Sequence, residues 1–365
     1  MKATTRMEEP ATAQLQRVIA IHFDPEGGAP YWLAREAQLG IDARRSIRRI
    51  EDLAVFGPMD ADALATRPVE DFLPRSRLAR RPEFLLAETG GTLGRPKFAV
   101  HRADEFHAAF VEPFVIAAAR AGFPREENWL FAGPTGPHII GRAAGACARA
   151  LGSPDPFRVD FDPRWAKALA EGSFARERYL RHIAAQALNV IETQRVGVIF
   201  STPPVLRRLG EAMPALKRAA VKGIHLGGLS VAHDFRAWLA ATFPAAVVLS
   251  GYGNTLFGMC PELAFDPQAG IDYYPWGVRS VFALVEPAAG GEAVAPDRVV
   301  PYGERGQVCV HRLDETQFIP NMIERDAAVR IPPRADAAAS GFLQDGLRDP
   351  RPLVQETARP AIGLY

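Results

Sequence analysis

Cysteine is scarce in this sequence: three in 365 residues, at positions 147, 260 and 309, with no C-x-x-C pair. That excludes a disulfide framework and a zinc ribbon, and it leaves the three thiols to be read as buried and inert. Charge of one sign is lacking too. With 43 basic against 42 acidic side chains the net charge is +1, so nothing marks a surface for nucleic acid or an anionic membrane. No uncharged apolar run reaches 18 residues, which argues against a membrane-spanning helix. The opening MKATTRMEEP also lacks the apolar stretch of a secretory signal. The cytoplasm is therefore the expected compartment. No G-x-S-x-G elbow presents a serine nucleophile. His101, His107, His182, His225, His233 and His311 fall at no metal-ligating spacing with cysteine or carboxylate.

What is present is an ordinary globular mixture, 48% apolar and 23% charged, long enough for two domains or one large domain with subdomains. Residues 1–80 read as a mostly helical segment. Within it Tyr31, Leu33, Ala34 and Ala37 share a helical face closed by Gly40, and Ser46 is placed to cap a second helix. Residues 81–265 read as an α/β core. A long helix is predicted through Phe106, Phe110, Phe114 and Ala118, with Asp104 as its cap, Pro113 as a kink and Gly122 at its end. VGVIFST (196–202), GIHLGG (223–228) and AVVLSGYG (246–253) are short apolar runs separated by helix-like segments. That alternation predicts buried parallel strands joined by crossover helices, with ligands outside their carboxyl ends. Residues 266–331 read as a smaller, antiparallel β-rich subdomain, and 332–365 as a loop-rich tail.

TGGTLGRPK (89–97) is the densest local signal. Gly90, Gly91 and Gly94 let main-chain amides approach an anion, Thr89 and Thr92 add hydroxyls, and Lys97 adds a point charge. It is not a Walker loop, because Pro96 stands before the lysine. Glycine content alone favours an ordinary strand-to-strand loop. The other features are individually open. Tyr252 after a strand either stacks on a base or packs, His138 in GPTGPHIIG is structural or catalytic, and Asp326 is a ribose ligand or a surface carboxylate.

The order in which TGGTLGRPK, HLGGLSV (225–231), SGYGNT (250–255), GERGQVCV (303–310) and NMIERD (321–326) follow one another resembles the adenylate-forming enzymes, the superfamily of acyl- and aryl-CoA ligases, luciferases and peptide-synthetase adenylation domains. Their phosphate loop reads TSGTTGxPK; this chain departs from it at Gly90 and Leu93. GAPYWLAREAQLGIDARRSIRRIEDL (28–53) resembles the opening of phenylacetate–CoA ligases. The short length and FIPNMIERD resemble the stand-alone adenylate-forming proteins of phenazine antibiotic biosynthesis. The resemblance covers nearly the whole chain. It implies the large N-terminal domain of that fold, parallel-rich sheets flanked by helices, without the small C-terminal lid domain.

The resemblance also implies roles. Thr89, Gly90, Gly91, Thr92, Gly94 and Lys97 would wrap the β- and γ-phosphates of ATP, and Gly227 and Gly228 would lie beside adenine. Tyr252 would stack on it within Tyr252-Gly253-Asn254-Thr255, with Thr255 at the α-phosphate. Asp326 would take the ribose hydroxyls, and His138 would stand beside the carboxylate substrate. The implied partners are an aromatic carboxylic acid and an acceptor or reductase protein, or coenzyme A. Small residues at Gly136, Gly141 and Gly145 would either line a flat slot for the acid or serve packing. Two departures matter. The glutamate that usually follows the motif threonine and helps to hold Mg²⁺ is replaced here by Leu256, so no protein ligand is identified; Glu262 is an alternative, or Mg²⁺ rides on the triphosphate and water. The lysine of the lid domain has no counterpart, since no lysine follows Lys222. Three functions therefore stand open: activation of an aryl acid to its acyl-adenylate, acyl transfer onto a cysteine (Cys309 being the last), or nucleotide binding without catalysis.

Overall fold

Residues 5–91, 95–288 and 293–353 are described by a computed structural model of the chain. The three apolar runs of the core form β5 (Val198–Ser201), β6 (Gly223–Leu226) and β7 (Val247–Asn254), parallel neighbours as expected. Helices Pro203–Ala212 and His233–Thr242 make the crossovers. Two further parallel strands, β3 (Trp129–Gly133) and β4 (Phe157–Asp160), extend this half of the sheet. All five residues of β3 are buried, whereas β4 is an edge strand with one buried residue and little strand signal of its own.

Beyond β7 the sheet turns antiparallel. β8 (Gly258–Asp266) and β9 (Gly270–Tyr273) fold back, and β10 (Ser280–Val285), β11 (Arg305–Leu313) and β12 (Phe318–Ile331) form a meander. The expected loop-rich tail instead carries β13 (Gly346–Pro352), which slots between β12 and β9. Eleven strands thus run β10-β11-β12-β13-β9-β8-β7-β6-β5-β3-β4, parallel at one end and antiparallel at the other. A separate hairpin, β1 (Phe84–Glu88) with β2 (Phe98–Arg102), brackets TGGTLGRPK.

The aromatic helix begins at Ala103, one residue before its expected cap. Asp104 holds the Arg102 guanidinium instead, and the carboxylate of Glu105 accepts the Arg102 N–H at 2.9 Å. Pro113 cannot donate to the carbonyl one turn back, and the helix passes through a π turn, His107–Val111, just before it. Phe106, Phe110, Phe114 and Ala118 are all buried, and Gly122 ends the helix at φ 68°.

In the N-terminal segment, helix Pro30–Leu39 ends at Gly40 as read, but the face that it buries centres on Trp32, with Ala34 and Ala37 exposed. Trp32 packs among Phe23, Phe56 and Phe318, and its indole N–H donates to the Phe318 carbonyl at 3.1 Å. Ser46 ends a short helix rather than starting one; Asp42 caps it by accepting the Arg45 N–H. Asn321, at φ 51°, donates to the carbonyls of Leu53 and Gly57 at 2.6 and 2.8 Å, which pins this segment onto β12. Among the described residues no helix is long and apolar enough to cross a membrane.

Candidate functional site

The carboxyl end of β7, the hairpin loop and the middle of β12 converge on one cavity of about 600 Å³. Thr89, Gly90, Gly91 and Lys97 line it, as do Gly228, Tyr252, Gly253, Asn254 and Asp326, so segments more than 200 residues apart in sequence meet there. Thr92 and Gly94 lie outside the described residues.

The hairpin loop is closed at its base by a pair of hydrogen bonds between Thr89 and Lys97. Thr89 N–H donates to the Lys97 carbonyl at 2.9 Å, and Lys97 N–H donates to Thr89 Oγ1 at 2.9 Å. Gly91 takes φ 62°, a conformation that side chains other than glycine seldom adopt. Under the loop, the Thr255 hydroxyl donates to the Glu88 carbonyl at 3.2 Å, and His101 Nε2 meets the Thr255 carbonyl at 2.9 Å. Since the Arg312 guanidinium can only donate to His101 Nδ1, the imidazole carries its proton on Nε2 and donates to Thr255. Both strands of the hairpin are thereby tied to the segment that carries Tyr252.

Gly253 must be glycine, because a Cβ there would stand 1.9 Å from the Gly258 carbonyl oxygen where β7 turns into β8. Its neighbours reach across to β12: the Tyr252 hydroxyl donates to Asp326 Oδ2 at 3.2 Å, and Asn254 Nδ2 donates to Glu324 Oε1 at 3.0 Å. A bulge places that stretch of β12, where two steps along β11, from Gln307 to Cys309, face four along β12, from Ala327 to Ile323. Bulges re-aim side chains beside sites. The Glu324 carbonyl within it is satisfied by Gln307 Nε2 at 2.8 Å. Burial raises the Asp326 carboxyl above its usual range and, with Asp326 beside it, raises the Tyr252 phenol. Burial, with Asp326 nearby, also pushes Glu324 up to about 7, against the opposing pull of Asn254 and Lys97.

Three expected residues do not line the cavity. Gly227 is buried with Phe200 over it, and Thr255 is buried under the loop with its hydroxyl engaged as above. His138 precedes helix Ile139–Ala150, where its ring is buried and its Nδ1 has no hydrogen-bond partner. Burial and the neighbouring Arg164 lower its pKa, keeping the imidazole neutral. It is close to the loop's root nonetheless, because the preceding Pro137 carbonyl accepts the Glu88 N–H at 3.0 Å. Gly141 and Gly145 are packing positions: a Cβ would meet Thr135 Cα at 2.9 Å and Arg158 Nη2 at 2.7 Å respectively. Gly136 serves a turn at φ 44°.

Glu262 is also spoken for, so the cation-holding role weighed for it fails on geometry. Its carboxylate is 5% exposed and accepts from Arg236 at 2.8 Å and from the Ser250 amide and hydroxyl at 2.9 and 2.7 Å. Cys309 is fully buried in β11 and burial pushes its thiol up to about 12, so acyl transfer onto it has neither access nor a thiolate. Among the described residues no group of three or more His, Cys, Asp or Glu could hold a metal ion. Glu324 is a cavity carboxylate that the sequence reading missed. It lies two residues before Asp326, but the bulge between Ile323 and Ala327 interrupts strand alternation there, so no local pattern marked it.

No protein-family model matches the chain, and no curated protein matches it by sequence. Solved structures do. A 2-hydroxyisobutyryl-CoA ligase, in complex with 2-HIB-AMP and CoA in the thioesterification state, superposes with a TM-score of 0.63 at 17% identity, over 94% of this chain and 67% of that one. The open conformation of the ligase, also with 2-HIB-AMP and CoA, gives 0.63 at 16%, over 95% and 69%. Its postadenylation state with R3-HIB-AMP gives 0.64 at 16%, over 94% and 67%. At such identities the likeness speaks for architecture alone, and on it this chain has the α/β fold of an adenylate-forming CoA ligase.

Proposed function

We propose that this protein activates a carboxylic acid with ATP, giving an acyl-adenylate and pyrophosphate. The observation that carries the reading is the convergence of Thr89, Gly90, Gly91 and Lys97 with Tyr252 and Asp326 around one cavity. Loop amides and an ammonium suit a polyphosphate, a flat ring suits a purine, and a carboxylate acceptor suits a ribose diol. The solved ligases of this fold, crystallised with an acyl-AMP and CoA, support the same chemistry.

In this reading the substrate carboxylate attacks the α-phosphorus and the bond to pyrophosphate breaks. The departing negative charge is taken up by the loop amides and Lys97, groups already oriented before reaction. Loop closure through the two hydrogen bonds between Thr89 and Lys97, one main-chain and one onto the Thr89 hydroxyl, supplies that orientation. The acid is an aromatic carboxylate of a phenazine-type pathway on the resemblance of 28–53 and FIPNMIERD, and Phe257, Ile271 and Tyr273 offer an apolar wall to a flat ring. The acyl group then passes to coenzyme A, a carrier or a reductase. Carboxylate-dependent ATP–pyrophosphate exchange over a panel of aryl acids, phenazine carboxylates included, tests the reading. Exchange with an acid supports it, and a chain that binds ATP but exchanges with none is a nucleotide-binding protein.

Tyr252→Ala is expected to weaken ATP binding by about 1–3 kcal/mol, the range for a base stacked on an aromatic ring. Tyr252→Phe keeps the ring and loses only the bond to Asp326, so it is expected to bind within a few-fold of wild type. Equal losses for both variants in a calorimetric titration would assign Tyr252 to the hydrogen bond and not to stacking.

A further inference from the structure

A carboxylate at the phosphate end of a nucleotide cavity opposes a triphosphate unless a cation lies between them. Glu324 lines the cavity together with Thr89, Gly90, Gly91 and Lys97 of the hairpin loop. Its Oε1 accepts from Asn254 Nδ2 at 3.0 Å, and Asn254 is fixed in turn by accepting the Leu256 N–H on Oδ1 at 2.8 Å. Lys97 of the hairpin loop is near enough to act on it electrostatically. No hydrogen bond among the described residues takes Oε2. The neighbouring oxygens are engaged elsewhere: the Thr255 hydroxyl with the Glu88 carbonyl, Asp326 Oδ2 with Tyr252 while its Oδ1 lies 3.9 Å from Arg325 Nε, and Glu262 with Arg236 and Ser250. Leu256 has no donor atom. Mg²⁺ is commonly held by one or two carboxylates together with substrate phosphates and several waters, and one oriented carboxylate opposite the phosphate loop meets that requirement.

Resting on the ATP reading above, we propose that Glu324 is the side chain through which this protein holds the divalent cation of its nucleotide, with Asn254 as the positioning residue. The cation, when bound, neutralises phosphate charge; Glu324 and Asn254 set where it sits.

Equilibrium binding of ATP to the full chain, once with Mg²⁺ and once in EDTA, tests this on wild type, Glu324→Gln and Glu324→Asp. Mn²⁺ serves as the probe for water-proton relaxation in the ternary complex. Glu324→Gln is expected to bind ATP at least about tenfold more weakly than wild type with Mg²⁺, yet as tightly or more tightly in EDTA, because a negative charge has been removed. Mn²⁺ affinity of its ATP complex should fall in parallel, and Glu324→Asp should keep part of the metal-dependent gain. A variant that merely loosens the site would lose affinity in both media, and that result, or unchanged Mn²⁺ binding, overturns the proposal. Should Glu324→Gln melt early, Glu324→Asp decides: a partial loss of ATP affinity confined to the Mg²⁺ medium, with Mn²⁺ affinity lowered in parallel, supports the role, and an unaltered metal dependence or an equal loss in both media refutes it. Failure of wild type to bind ATP in either medium would sink the nucleotide reading itself, whereas ATP binding without the metal-specific effect sinks only the assignment of Glu324.

Discussion

Lys97→Ala is expected to lower carboxylate-dependent ATP–pyrophosphate exchange by about 10²–10³-fold, the usual cost of deleting one preorganised group from a charge-stabilising site. The substitution is clean because the hydrogen bonds that close the loop at residue 97 are made by its main-chain N–H and carbonyl. Alanine keeps both, so what is lost is the ammonium alone. Among the described residues Lys97 is also the one lysine on the cavity wall; Arg95, Arg325 and Arg351 contribute guanidinium groups there. On the proposed reading the adenine and ribose contacts at Tyr252 and Asp326 are kept, so ATP should still bind, weakened by the loss of one phosphate contact. An exchange rate within about tenfold of wild type would show that Lys97 does not meet the leaving group. Loss of all ATP binding would move its role from the reaction to ground-state binding.

Asp314→Ala is expected to destabilise the fold by about 3–5 kcal/mol, measured by urea or thermal unfolding. Asp314 is buried, and it accepts from Arg279 Nε at 3.1 Å and from Arg312 Nε at 2.6 Å, with a second bond from Arg279 Nη2. Removing it leaves two guanidinium charges with little water, and one of them, Arg312, also bridges the Val100 carbonyl, Gln317 and His101. Because His101 holds Thr255 against the root of the glycine-rich loop, the variant should, on the ATP reading, lose ATP affinity as well as stability. An exposed ion pair would be worth at most about 1 kcal/mol, so a loss of that size would mean that water reaches the cluster.

The same region sets the acid response. Burial alone would raise the Asp314 carboxyl, but Arg279 and Arg312 outweigh it and hold it at about 2. A carboxyl lowered below its unfolded value of about 3.9 stabilises the fold above that pH and loses this contribution as pH falls toward 2. Burial keeps His22 down at about 3, and His225 and His311 at about 4. An unfolded histidine takes up its proton near 6.5, so each of these favours unfolding as the pH drops from there toward its native value, by up to about 1.4 kcal/mol per pH unit. Stability should therefore begin to fall below pH 6.5, the loss from the buried histidines being offset in part by Glu324, which burial holds at about 7 and which takes up its proton in the folded state over the same range. A flat unfolding midpoint between pH 6.5 and 4.5 would contradict the buried neutral state of these histidines.

The strands that sequence reading located were those whose residues carry their own evidence. β5, β6 and β7 are continuous apolar runs between helix-like segments, because a parallel strand covered on both faces must be apolar at every position. β4 and β13 are FRVD and GLRDPRP, polar sequences that hold strand geometry only because a neighbouring strand offers its edge. Local pattern has no access to that. Trp32 was passed over for the same reason. The amphipathic count favoured Ala34 and Ala37, whereas the Phe23, Phe56 and Phe318 rings that receive the indole come from elsewhere in the chain.

For the site, the residue types left the glycine-rich loop, Tyr252 and Asp326 open one by one; their order along the chain singled them out, and the fold brings all three to one cavity. Order alone could not say which neighbours share the cavity. Glu262 and Glu324 are both carboxylates near the motifs, yet Arg236 and Ser250 absorb one, while a bulge in β12 turns the other toward Asn254 and Lys97. Thr255 and His138 likewise bear the right groups, yet neither lines the cavity: the Thr255 hydroxyl is taken by the Glu88 carbonyl and the His138 ring is buried. Composition and motif determined what kinds of group this protein has to offer a ligand. The tertiary structure decided which of them face it, because hydrogen-bond partners and solvent access depend on segments that the chain brings together only when folded.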